Sequence, residues 1–357
     1  MFESTQLELE QYFSAVLEKN ASDIFLTAGR PPILRVNKEL LELSEAKLMT
    51  NDGVKAILEA MVDEDLLKLF YANKELDFSY QYKEIARFRV NAYFQSGKIA
   101  LSMRNIPQKI RTLEELNLPG TIKSFATIRQ GLVLFASPTG SGKTTTITAL
   151  IDYINHTQHK HIITIENPIE YIFQDDRSFI EQQAVGYDVH SFEQGLESSV
   201  KSVPDYVMIG DIKTPDILEK TILVAESGHV VIASLNTSYA TETVNWIIGL
   251  FKTSRQPEIQ TRLANVLTGI VTQRLIPSID ERMVPAVEIL IGSQAARNLI
   301  REGKTYQLDD VIATGIGEGM ISLDRSLVEL VKNGIIAKEE AINHVKDIPT
   351  FESLLQS

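Results

Sequence analysis

The sequence has no cysteine and only 6 histidines among its 357 residues. The lack of cysteine excludes a disulfide framework and a thiolate metal site, and the histidines have no ligand-like spacing, so we expect no structural zinc. No apolar run approaches the roughly 18 residues that a transmembrane helix needs, and the start MFESTQLELEQYF lacks the basic and then apolar order of an export signal. These features predict a cytosolic protein, which could still dock on a membrane assembly.

Basic residues are also in deficit, with 35 Lys and Arg against 47 Asp and Glu and a net charge of -12. A general nucleic-acid binder needs clustered basic residues in excess, so we expect no nucleic-acid partner, although a local basic groove is compatible with this balance. Hydrophobic residues at 44% and charged residues at 23% are ordinary for a folded protein. Because single cores stop growing near about 250 to 300 residues, the length predicts two domains.

Residues 1–106 combine helical and strand patterns. The stretch QLELEQYFSAVLEKNASDIFL has apolar residues at three and four spacing, which predicts a helix, and FRVNAYFQSGKIALSMRNI predicts two short strands around QSGK. We therefore predict an α+β domain over 1–106. The segment NIPQKIRTLEELNLPG carries two prolines and many polar residues, and residues 107–120 are the predicted linker.

Beyond this segment, apolar runs alternate with loops and helical patterns. The runs GLVLFA, HIITIE, DYVMIG and HVVIASL, most of them separated by helix-like stretches, predict a parallel sheet with helices on both faces. In such sheets, ligands bind at the carboxyl ends of the strands. The stretches EIQTRLANVLTGIVTQRL and SLDRSLVELVKNGIIAKEEAINHV predict amphipathic helices, so the domain over 121–357 is expected to close with a helical subdomain from about residue 255.

The segment after GLVLFA has the composition of a phosphate-binding loop. Gly140 and Gly142 permit tight turns that point successive backbone N–H groups into one concavity, and Lys143 supplies positive charge for the β and γ phosphates. The Thr144 hydroxyl is the expected magnesium ligand, and the start of the following helix adds its positive dipole end. We therefore predict ATP and Mg2+ as ligands. The predicted nucleotide-binding residues of this loop are Ser137, Pro138, Thr139, Gly140, Ser141, Gly142, Lys143, Thr144 and Thr145.

Ser137 departs from the glycine that opens the usual pattern GxxxxGK followed by Ser or Thr. The replacement matters only if φ at this position is positive or if the Cβ atom collides with the ligand. Serine is the mildest change available, so we expect nucleotide binding to survive.

Four strings occur in a specific order, namely SPTGSGKTTT, TIENPIEY, VPDYVMIGDIK and SGHVVIASLNTS. With ASDIFLTAGRPPILRVN and RFRVNAYFQ before them and AARNLIREGK after them, the sequence resembles the type IV pilus retraction ATPases of the PilT and PilU kind, within the secretion ATPase superfamily. The resemblance covers nearly the whole length. It implies an α/β protein in which a PAS-like α+β domain is followed by a RecA-like parallel-sheet ATPase domain. It also implies a ring of six subunits, with ATP held between one RecA-like domain and a neighbouring N-terminal domain.

The resemblance also implies roles for single residues. Arg89 of RFRVN and Arg104 of SMRNIP match basic positions that face the nucleotide, where either could serve as an arginine finger. Glu166 of TIENPIEY is expected in catalysis and near the magnesium ion. His229 of SGHVVIASLNTS matches a catalytic histidine. Asn236 replaces the family's second histidine, and its amide can still donate a hydrogen bond to a γ-phosphate oxygen.

Each of these motifs carries a substitution that bears on turnover. The usual acid after Glu166 is Asn167, which cannot place a negative charge near magnesium. The usual glutamate that polarises the attacking water is Asp211, which is one methylene shorter, and a displacement of about 1 Å can cost on the order of a hundredfold in rate. The usual Arg and Asp beyond it are Lys213 and Thr214. We therefore expect Asp211 to be the catalytic carboxylate and hydrolysis to be slow.

Three functions stay open. The first is a homo-hexameric ATP-hydrolysing motor for pilus retraction and twitching motility, located in the cytoplasm at the pilus base and acting on an inner-membrane platform protein. The second is a nearly inactive accessory subunit that binds nucleotide and modulates a paralogous retraction ATPase. The third, a pilus assembly or type II secretion ATPase, is disfavoured because many such relatives carry a four-cysteine metal element and this chain has no cysteine.

Overall fold

The computed structural model describes residues 2–37, 39–44, 46–83, 85–106 and 108–356. They form two compact units. One contains the residues up to Lys109 together with Asn167–Ile172, and the other contains Ile110–Glu166 together with the residues from Phe173 onward. Within these described residues, no helix combines the length and the hydropathy that crossing a bilayer requires. The boundary after Lys109 lies inside the segment that the sequence predicts as a linker.

The first unit contains a six-stranded antiparallel sheet with the order β3-β2-β1-β6-β5-β4. Its elements are α1 (Phe2–Glu18), β1 (Asp23–Thr27), β2 (Ile33–Val36), β3 (Glu39–Glu42), α2 (Asn51–Met61), α3 (Glu64–Asn73), β4 (Glu75–Tyr82), β5 (Ala86–Gln95) and β6 (Lys98–Ile106). The two strands predicted around QSGK are confirmed as β5 and β6. Ser96 and Gly97 join them with φ values of 51° and 75°, the pair of positive angles that a tight hairpin turn requires.

The helix predicted over the first part of the chain ends earlier than its apolar pattern suggests. Helix α1 stops at Glu18, Asn20 takes a left-handed φ of 54°, and Asp23 begins β1. The prediction was wrong for the segment ASDIFL, because that segment pairs with β2, the next strand along the chain, and with β6, which is distant in sequence. Tertiary pairing therefore overrides the local helical spacing here.

Strand β5 shows which face of this sheet is the core. Phe88 and Val90 are fully buried, and Phe13 of α1 stacks on Phe88 with ring centroids 4.3 Å apart. Because side chains alternate along a strand, Arg87 and Arg89 point to the opposite, partly exposed face. The sheet therefore separates an apolar face covered by helices from a face that carries arginines.

The second unit is built on a seven-stranded sheet with the order β13-β12-β7-β11-β10-β8-β9. Its strands are β7 (Gly131–Ala136), β8 (His161–Glu166), β9 (Phe179–Ala184), β10 (Tyr206–Ile209), β11 (Val230–Leu235), β12 (Leu267–Pro277) and β13 (Met283–Ile291). Its helices are α4 (Gly120–Ser124), α5 (Lys143–Thr157), α6 (Phe192–Lys201), α7 (Pro215–Glu226), α8 (Ala240–Gly249), α9 (Gln256–Val266), α10 (Gln294–Arg301), α11 (Leu308–Thr314), α12 (Leu323–Lys332), α13 (Lys338–Ile342) and α14 (Ile348–Gln356). Short 3-10 helices occur at Phe125–Thr127, Thr305–Gln307 and Gly315–Glu318.

The central strands of this sheet are apolar on both faces. On β7, Leu132 and Leu134 join one core cluster, whereas Val133 and Phe135 join the cluster on the other face. All neighbouring pairs are parallel except β12 with β13. A parallel sheet covered on both faces needs such near-continuous apolar runs, so the predicted α/β class is confirmed.

The residues after Lys109 contribute to the core of the second unit. Leu113 is 1% exposed and lies in the cluster that contains Phe125 and Val133, with Leu116 and Leu118 packed against the same cluster. The spaced leucines of this segment thus bury apolar surface, and the part of the predicted linker from Ile110 onward forms one structure with the second unit.

The prediction of one helix through EIQTRLANVLTGIVTQRL was wrong in its second half. Helix α9 ends at Val266, and residues 267–277 form β12, which pairs in parallel with β7 and antiparallel with β13. The β-branched residues Thr268, Ile270 and Val271 favour a strand once β7 offers a partner. Two strands thus lie beyond residue 255, and the mainly helical end of the chain begins with α10. Helices α12 and α14 pack with the β12–β13 hairpin around a small core of their own.

Glu288 on β13 is a carboxylate inside this unit. It is 2% exposed, and its Oε1 accepts a hydrogen bond from the backbone N–H of Ala240 at 2.7 Å, at the start of α8. Burial raises the pKa of Glu288 above its ordinary value of 4.5; Lys346 opposes this shift, and Asp309 and Asp324 reinforce it. The contribution of Glu288 to stability is therefore complete below the pKa of the unfolded chain and is lost as the pH rises through the folded-state pKa.

Glu288→Gln should consequently remove a pH-dependent destabilisation, because the amide keeps an acceptor for Ala240 but carries no charge. We expect the free energy of unfolding of the variant to exceed that of the wild type increasingly from pH 4.5 upward, by about 1.4 kcal/mol for each unit by which the two pKa values differ. Urea denaturation between pH 4.5 and 7.5 measures the difference. The control is Glu329→Gln, which removes an exposed ion pair with Arg325. Its free energy of unfolding should change with pH in the same way as that of the wild type. A difference for Glu288→Gln that does not change with pH would contradict this expectation.

Candidate active site

Polar residues meet where four neighbouring strands end. The loop 137–142 follows β7, Glu166 ends β8, Asp211 follows β10 and Asn236 follows β11. Since these strands are parallel neighbours, all four positions lie on one edge of the sheet. This is the edge at which open parallel sheets bind their ligands.

The loop has the backbone conformation that its two glycines permit. Gly140 and Gly142 have φ values of 83° and 86°, in the left-handed region. Lys143 is the first residue of α5, and the Thr146 N–H closes the first helical turn on the Gly142 carbonyl at 3.0 Å. The loop therefore delivers free helix N–H groups and a positive dipole end to one place, which suits an anion such as phosphate.

Lys143 lies across this loop. Its ammonium group donates to the carbonyl oxygen of Ser137, to that of Pro138 at 3.3 Å and to Oδ1 of Asn236 at 2.9 Å. Burial lowers the pKa of Lys143, and the nearby charge of Asp211 counteracts this effect. The structure thus brings together the lysine, the asparagine and the aspartate that the sequence assigned to one site.

Asp211 carries an oxygen without a hydrogen-bond partner. Its Oδ1 is buried and unpaired, and its Oδ2 lies 3.3 Å from Nζ of Lys213. Buried polar atoms are normally satisfied, so an orphaned carboxylate oxygen in this position is the mark of a site that receives a further donor or a cation. An ordered water or a hydrated metal ion would meet that requirement.

Glu166 is held firmly at the end of β8. It is 5% exposed, and its Oε1 accepts hydrogen bonds from Oγ1 of Thr164 at 2.7 Å and from Nε2 of Gln182 at 3.3 Å. Thr144 is half-buried at the second residue of α5. In the described part of the chain, no group of three or more His, Asp and Glu side chains is arranged to hold a metal ion. Oxygen ligands from one or two side chains are nevertheless the usual protein contribution to a phosphate-bound magnesium ion.

His229 does not join this group. It precedes the first residue of β11, whereas Asn236 follows the last, and six residues at about 3.3 Å each separate the two ends by about 20 Å. Its Nδ1 lies 2.7 Å from the carbonyl oxygen of Pro204. The structure therefore does not bring His229 together with the other predicted catalytic residues, because the strand places it at the opposite edge of the sheet, and its catalytic role stays a prediction.

Arg89 and Arg104 lie in the first unit. They are direct partners in the pairing of β5 with β6, so both stand on the same face of that sheet. Arg89 forms ion pairs with Asp77 at 2.6 Å and with Glu170 at 2.9 Å. Arg104 reaches Asp23 at 3.0 Å and is 69% exposed. Of the two, Arg104 is the more accessible.

Gln273 on β12 is a site residue that the sequence analysis missed. Its backbone N–H donates to Oγ of Ser137, its Nε2 donates to the carbonyl oxygen of Ser141, and its Oε1 accepts from Oγ1 of Thr146, each at 2.7 Å. The sequence pattern predicts a helix for the segment QRL, and a helix gives no reason to expect these contacts with the loop. Only the pairing of β12 with β7 reveals them.

A cavity of about 340 Å³ opens beside the loop within the second unit. Thr145 at the start of α5, Asn117, Leu116, Leu275 and Val284 are among the residues that line it. Its wall mixes apolar side chains with amide and hydroxyl groups, and it also includes the charged residues Arg111, Glu115 and Arg282. Such a wall suits a flat polar ring with apolar faces.

A glycine loop between a buried parallel strand and a helix, with lysine first in the helix and a carboxylate after a neighbouring strand, defines a P-loop nucleoside triphosphatase. Residues 3–310 match the family model described as Type II/IV secretion system protein, and the chain belongs to this family of ATPases.

Two relatives from Pseudomonas aeruginosa illustrate the similarity. The type IV pilus retraction ATPase PilT is 34% identical over 340 residues, which cover 95% of this chain and 98% of that protein. The type IV pilus ATPase PilU is 34% identical over 339 residues, with 95% and 88% coverage. The crystal structure of a pilus retraction motor PilT with bound ADP superposes with a TM-score of 0.87 at 34% identity and covers 96% of this chain and 98% of the other. The resemblance and the parallel-sheet ATPase core expected from the sequence are confirmed.

Proposed function

We propose that this chain is an ATP-hydrolysing motor of type IV pilus retraction. The observation that carries the proposal is that a P-loop lysine, Lys143, and the buried, unpaired Oδ1 of Asp211 lie on the same edge of the sheet, close enough for the charge of Asp211 to affect the lysine. Transfer of a phosphoryl group to water uses a lysine beside the β and γ phosphates and a carboxylate that polarises the water. The relative named as a type IV pilus retraction ATPase and the relative named as a type IV pilus ATPase support the choice of pilus retraction as the task.

Thr144 and Glu166 are the proposed protein ligands of the magnesium ion. Their oxygens are of the type that Mg2+ prefers, and Thr164 holds the Glu166 carboxylate in one orientation. Magnesium, when bound with ATP, supplies positive charge that neutralises the phosphate oxygens. Asp211 then has the task of accepting a hydrogen bond from the attacking water through Oδ1.

The loop 137–142 and the first three residues of α5 are proposed to hold the triphosphate, and the adjoining cavity is proposed to take the nucleoside. Thr145 belongs to both, since it follows the loop and lines the cavity. The cavity is large enough for a purine ring system together with a sugar. The ADP in the similar PilT structure supports an adenine nucleotide as the ligand.

We further propose a homo-hexamer in which Arg104 of one subunit serves the nucleotide of its neighbour. Arg104 suits this role better than Arg89, because it is mostly exposed and has one carboxylate partner described, whereas two carboxylates hold Arg89. A particle with six times the 40.0 kDa of the chain, measured by light scattering, tests the assembly. The proposed partner is an inner-membrane platform protein, and the proposed place is the cytoplasmic side of the inner membrane at the pilus base.

A second candidate is an accessory subunit with little turnover that modulates a paralogous retraction ATPase. The ion pair between Asp211 and Lys213 favours it, because an ammonium group 3.3 Å from the carboxylate competes for the lone pairs that would polarise water. The short aspartate side chain and Asn167 act in the same direction. A pilus assembly or secretion ATPase stays the third and weakest candidate.

Magnesium-dependent phosphate release by the purified full-length chain separates these candidates. Release that requires both ATP and Mg2+ supports the motor. Tight binding of ATP without detectable release by the assembled protein favours the accessory subunit instead. If isothermal titration shows no heat with MgATP and the nucleotide gives no thermal protection, the nucleotide site itself is refuted.

Helix α10, from the segment AARNLIREGK, offers a separate test of the motor. Its buried side contains Ala296 and Ile300, both 0% exposed, and its exposed side contains Asn298 and Arg301, which hydrogen-bond to each other at 2.9 Å. We expect the double change Asn298→Ala and Arg301→Ala to abolish twitching motility while ATP turnover stays within about twofold, since surface changes rarely disturb a fold.

Ile300→Ala is the contrasting variant. A buried isoleucine reduced to alanine costs about 2 to 5 kcal/mol, so this variant should lose stability and turnover together. Twitching at the wild-type rate in the Asn298 and Arg301 variant would exclude this face of α10 from contact with the retraction machinery.

A further inference from the structure

The serine that replaces the first glycine of the loop has a structural partner. Ser137 is not among the described residues with a positive φ, so this position does not need the freedom of glycine. Its side chain is 1% exposed, and its Oγ accepts the backbone N–H of Gln273 at 2.7 Å. The parallel pairing between β7 and β12 ends with Ala136 opposite Thr272. The bond from the Gln273 N–H to the Ser137 hydroxyl continues the contact between the two segments by one residue.

The side chain of Gln273 continues this contact beneath the loop. It is 5% exposed and uses both ends of its amide, donating to the carbonyl of Ser141 in the middle of the loop and accepting from the hydroxyl of Thr146 in the first turn of α5. A Cβ atom on Gly142 would lie 2.7 Å from Nε2 of Gln273, so the close approach also requires glycine at that position. One side chain thus joins the loop, the helix and the neighbouring strand.

Because the peptide group is planar, the contact of Gln273 with the Ser141 carbonyl also determines the direction of the Gly142 N–H. The carbonyl of Ser141 and the N–H of Gly142 belong to one planar trans peptide and therefore point in opposite directions. Because Gln273 holds the carbonyl on the inner side, the N–H of Gly142 faces the outer, concave side of the loop. Loop N–H groups directed to that side are what an anionic ligand meets.

We propose that Gln273 is a positioning residue that orients the Gly142 amide for phosphate, and that its backbone N–H, bonded to the Ser137 hydroxyl, fixes the start of the loop. This inference rests on the proposed function in one respect, namely that the loop binds the phosphates of a nucleotide. Gln273 acts on the loop through the Ser141 carbonyl and the Thr146 hydroxyl, and it is also one of the residues that line the adjoining cavity. Its effect is expected on binding of both the substrate and the transition state, because the Gly142 amide serves both.

Gln273→Met in the full-length chain tests the inference, since methionine keeps the length of the side chain and removes both hydrogen-bonding groups. We expect KM for MgATP and the Kd for mant-ADP to rise at least about tenfold. We expect kcat to stay within about threefold, which is the signature of a lost uniform binding interaction. A merely structural role would lower the active fraction, and hence kcat, without moving KM.

Asn155→Leu is the matched control. Asn155 is a fully buried amide on α5, the helix that Gln273 contacts through Thr146, but it bonds to the carbonyl of Gln174 and to the N–H of Asp176, both away from the loop. This variant should lower the melting temperature and leave KM unchanged. If Gln273→Met does not fold, Thr146→Val takes its place and should raise KM by about threefold, because one of the two side-chain bonds is lost.

If the wild-type protein binds mant-ADP and the folded Gln273→Met variant has a raised KM and a raised Kd, the inference is supported. A folded Gln273→Met, or Thr146→Val in its place, with wild-type KM and Kd overturns it and leaves the proposed function intact. A fall in kcat at constant KM overturns it as well. No binding of mant-ADP by the wild type refutes the proposed function, and the inference falls with it.

Discussion

Lys143→Ala should reduce ATP turnover at least about a hundredfold, the loss expected when one preorganised donor to a developing oxyanion is removed. The ammonium group lies over the loop and is shared between loop carbonyls and Asn236, so it is poised to move to a phosphate oxygen without rearrangement of the backbone. Removing a partly buried cation need not destabilise the fold, because burial already opposes its charge. Phosphate release therefore measures the effect on catalysis, and thermal melting of the same preparation measures the effect on stability.

Lys160→Ala is the control for this prediction. Lys160 forms an ion pair with Asp205 at 2.8 Å, at the edge of the sheet opposite the loop, so its loss should leave turnover unchanged. A Lys143→Ala protein that hydrolyses ATP at the wild-type rate would show that the loop is not the catalytic phosphate site.

Asp211→Asn should lower turnover by about a hundredfold or more while nucleotide binding is kept, because a general base or water-polarising group contributes about that much. The amide has the same size but cannot act as a base, and the buried position of Oδ1 would receive either a weaker acceptor or an N–H group. Phosphate release at saturating MgATP, together with mant-ADP affinity, measures both parts of the prediction.

Asp211→Glu should change turnover in the opposite direction. The longer side chain restores the reach that the family resemblance implies, and a gain of up to about a hundredfold corresponds to a correction of about 1 Å.

Asp205→Asn is the matched control for Asp211→Asn, because Asp205 precedes the same strand that Asp211 follows and pairs with Lys160. Turnover by Asp211→Asn equal to that of the wild type would remove this carboxylate from the mechanism.

The parts of the site that could be predicted are continuous in sequence. The loop from Ser137 to Thr145 has its glycines, its lysine and its two flanking elements within one short stretch, so local chemistry specifies it. The strands β7, β8, β10 and β11 are apolar runs whose length and alternation with helices distinguish them from surface segments. Asp211 and Asn236 could be assigned through the family resemblance, because each stands in one of its motifs after such a run.

The parts that could not be predicted depend on pairing between distant segments. Strand β12 lies about 130 residues from β7, its partner, and its apolar spacing is equally compatible with a helix until that partner is known. The separation of His229 from the loop could not be predicted for the same reason, because the motif gives the order of residues and not the edge of the sheet at which each one lies. The ion pairs of Arg89 likewise depend on β4 and on a segment more than 80 residues away.

By itself, the sequence determined that this chain carries a phosphate loop on an α/β sheet and that it resembles the retraction ATPases, because glycine, lysine and aliphatic patterns act over a few residues. Only the tertiary structure decided that Gln273 supports the loop, that Ser137 is a partner of β12 and that His229 stands apart. These outcomes follow from hydrogen bonds between strands that meet in the sheet although they are remote in the chain, and no local pattern specifies which of them will meet.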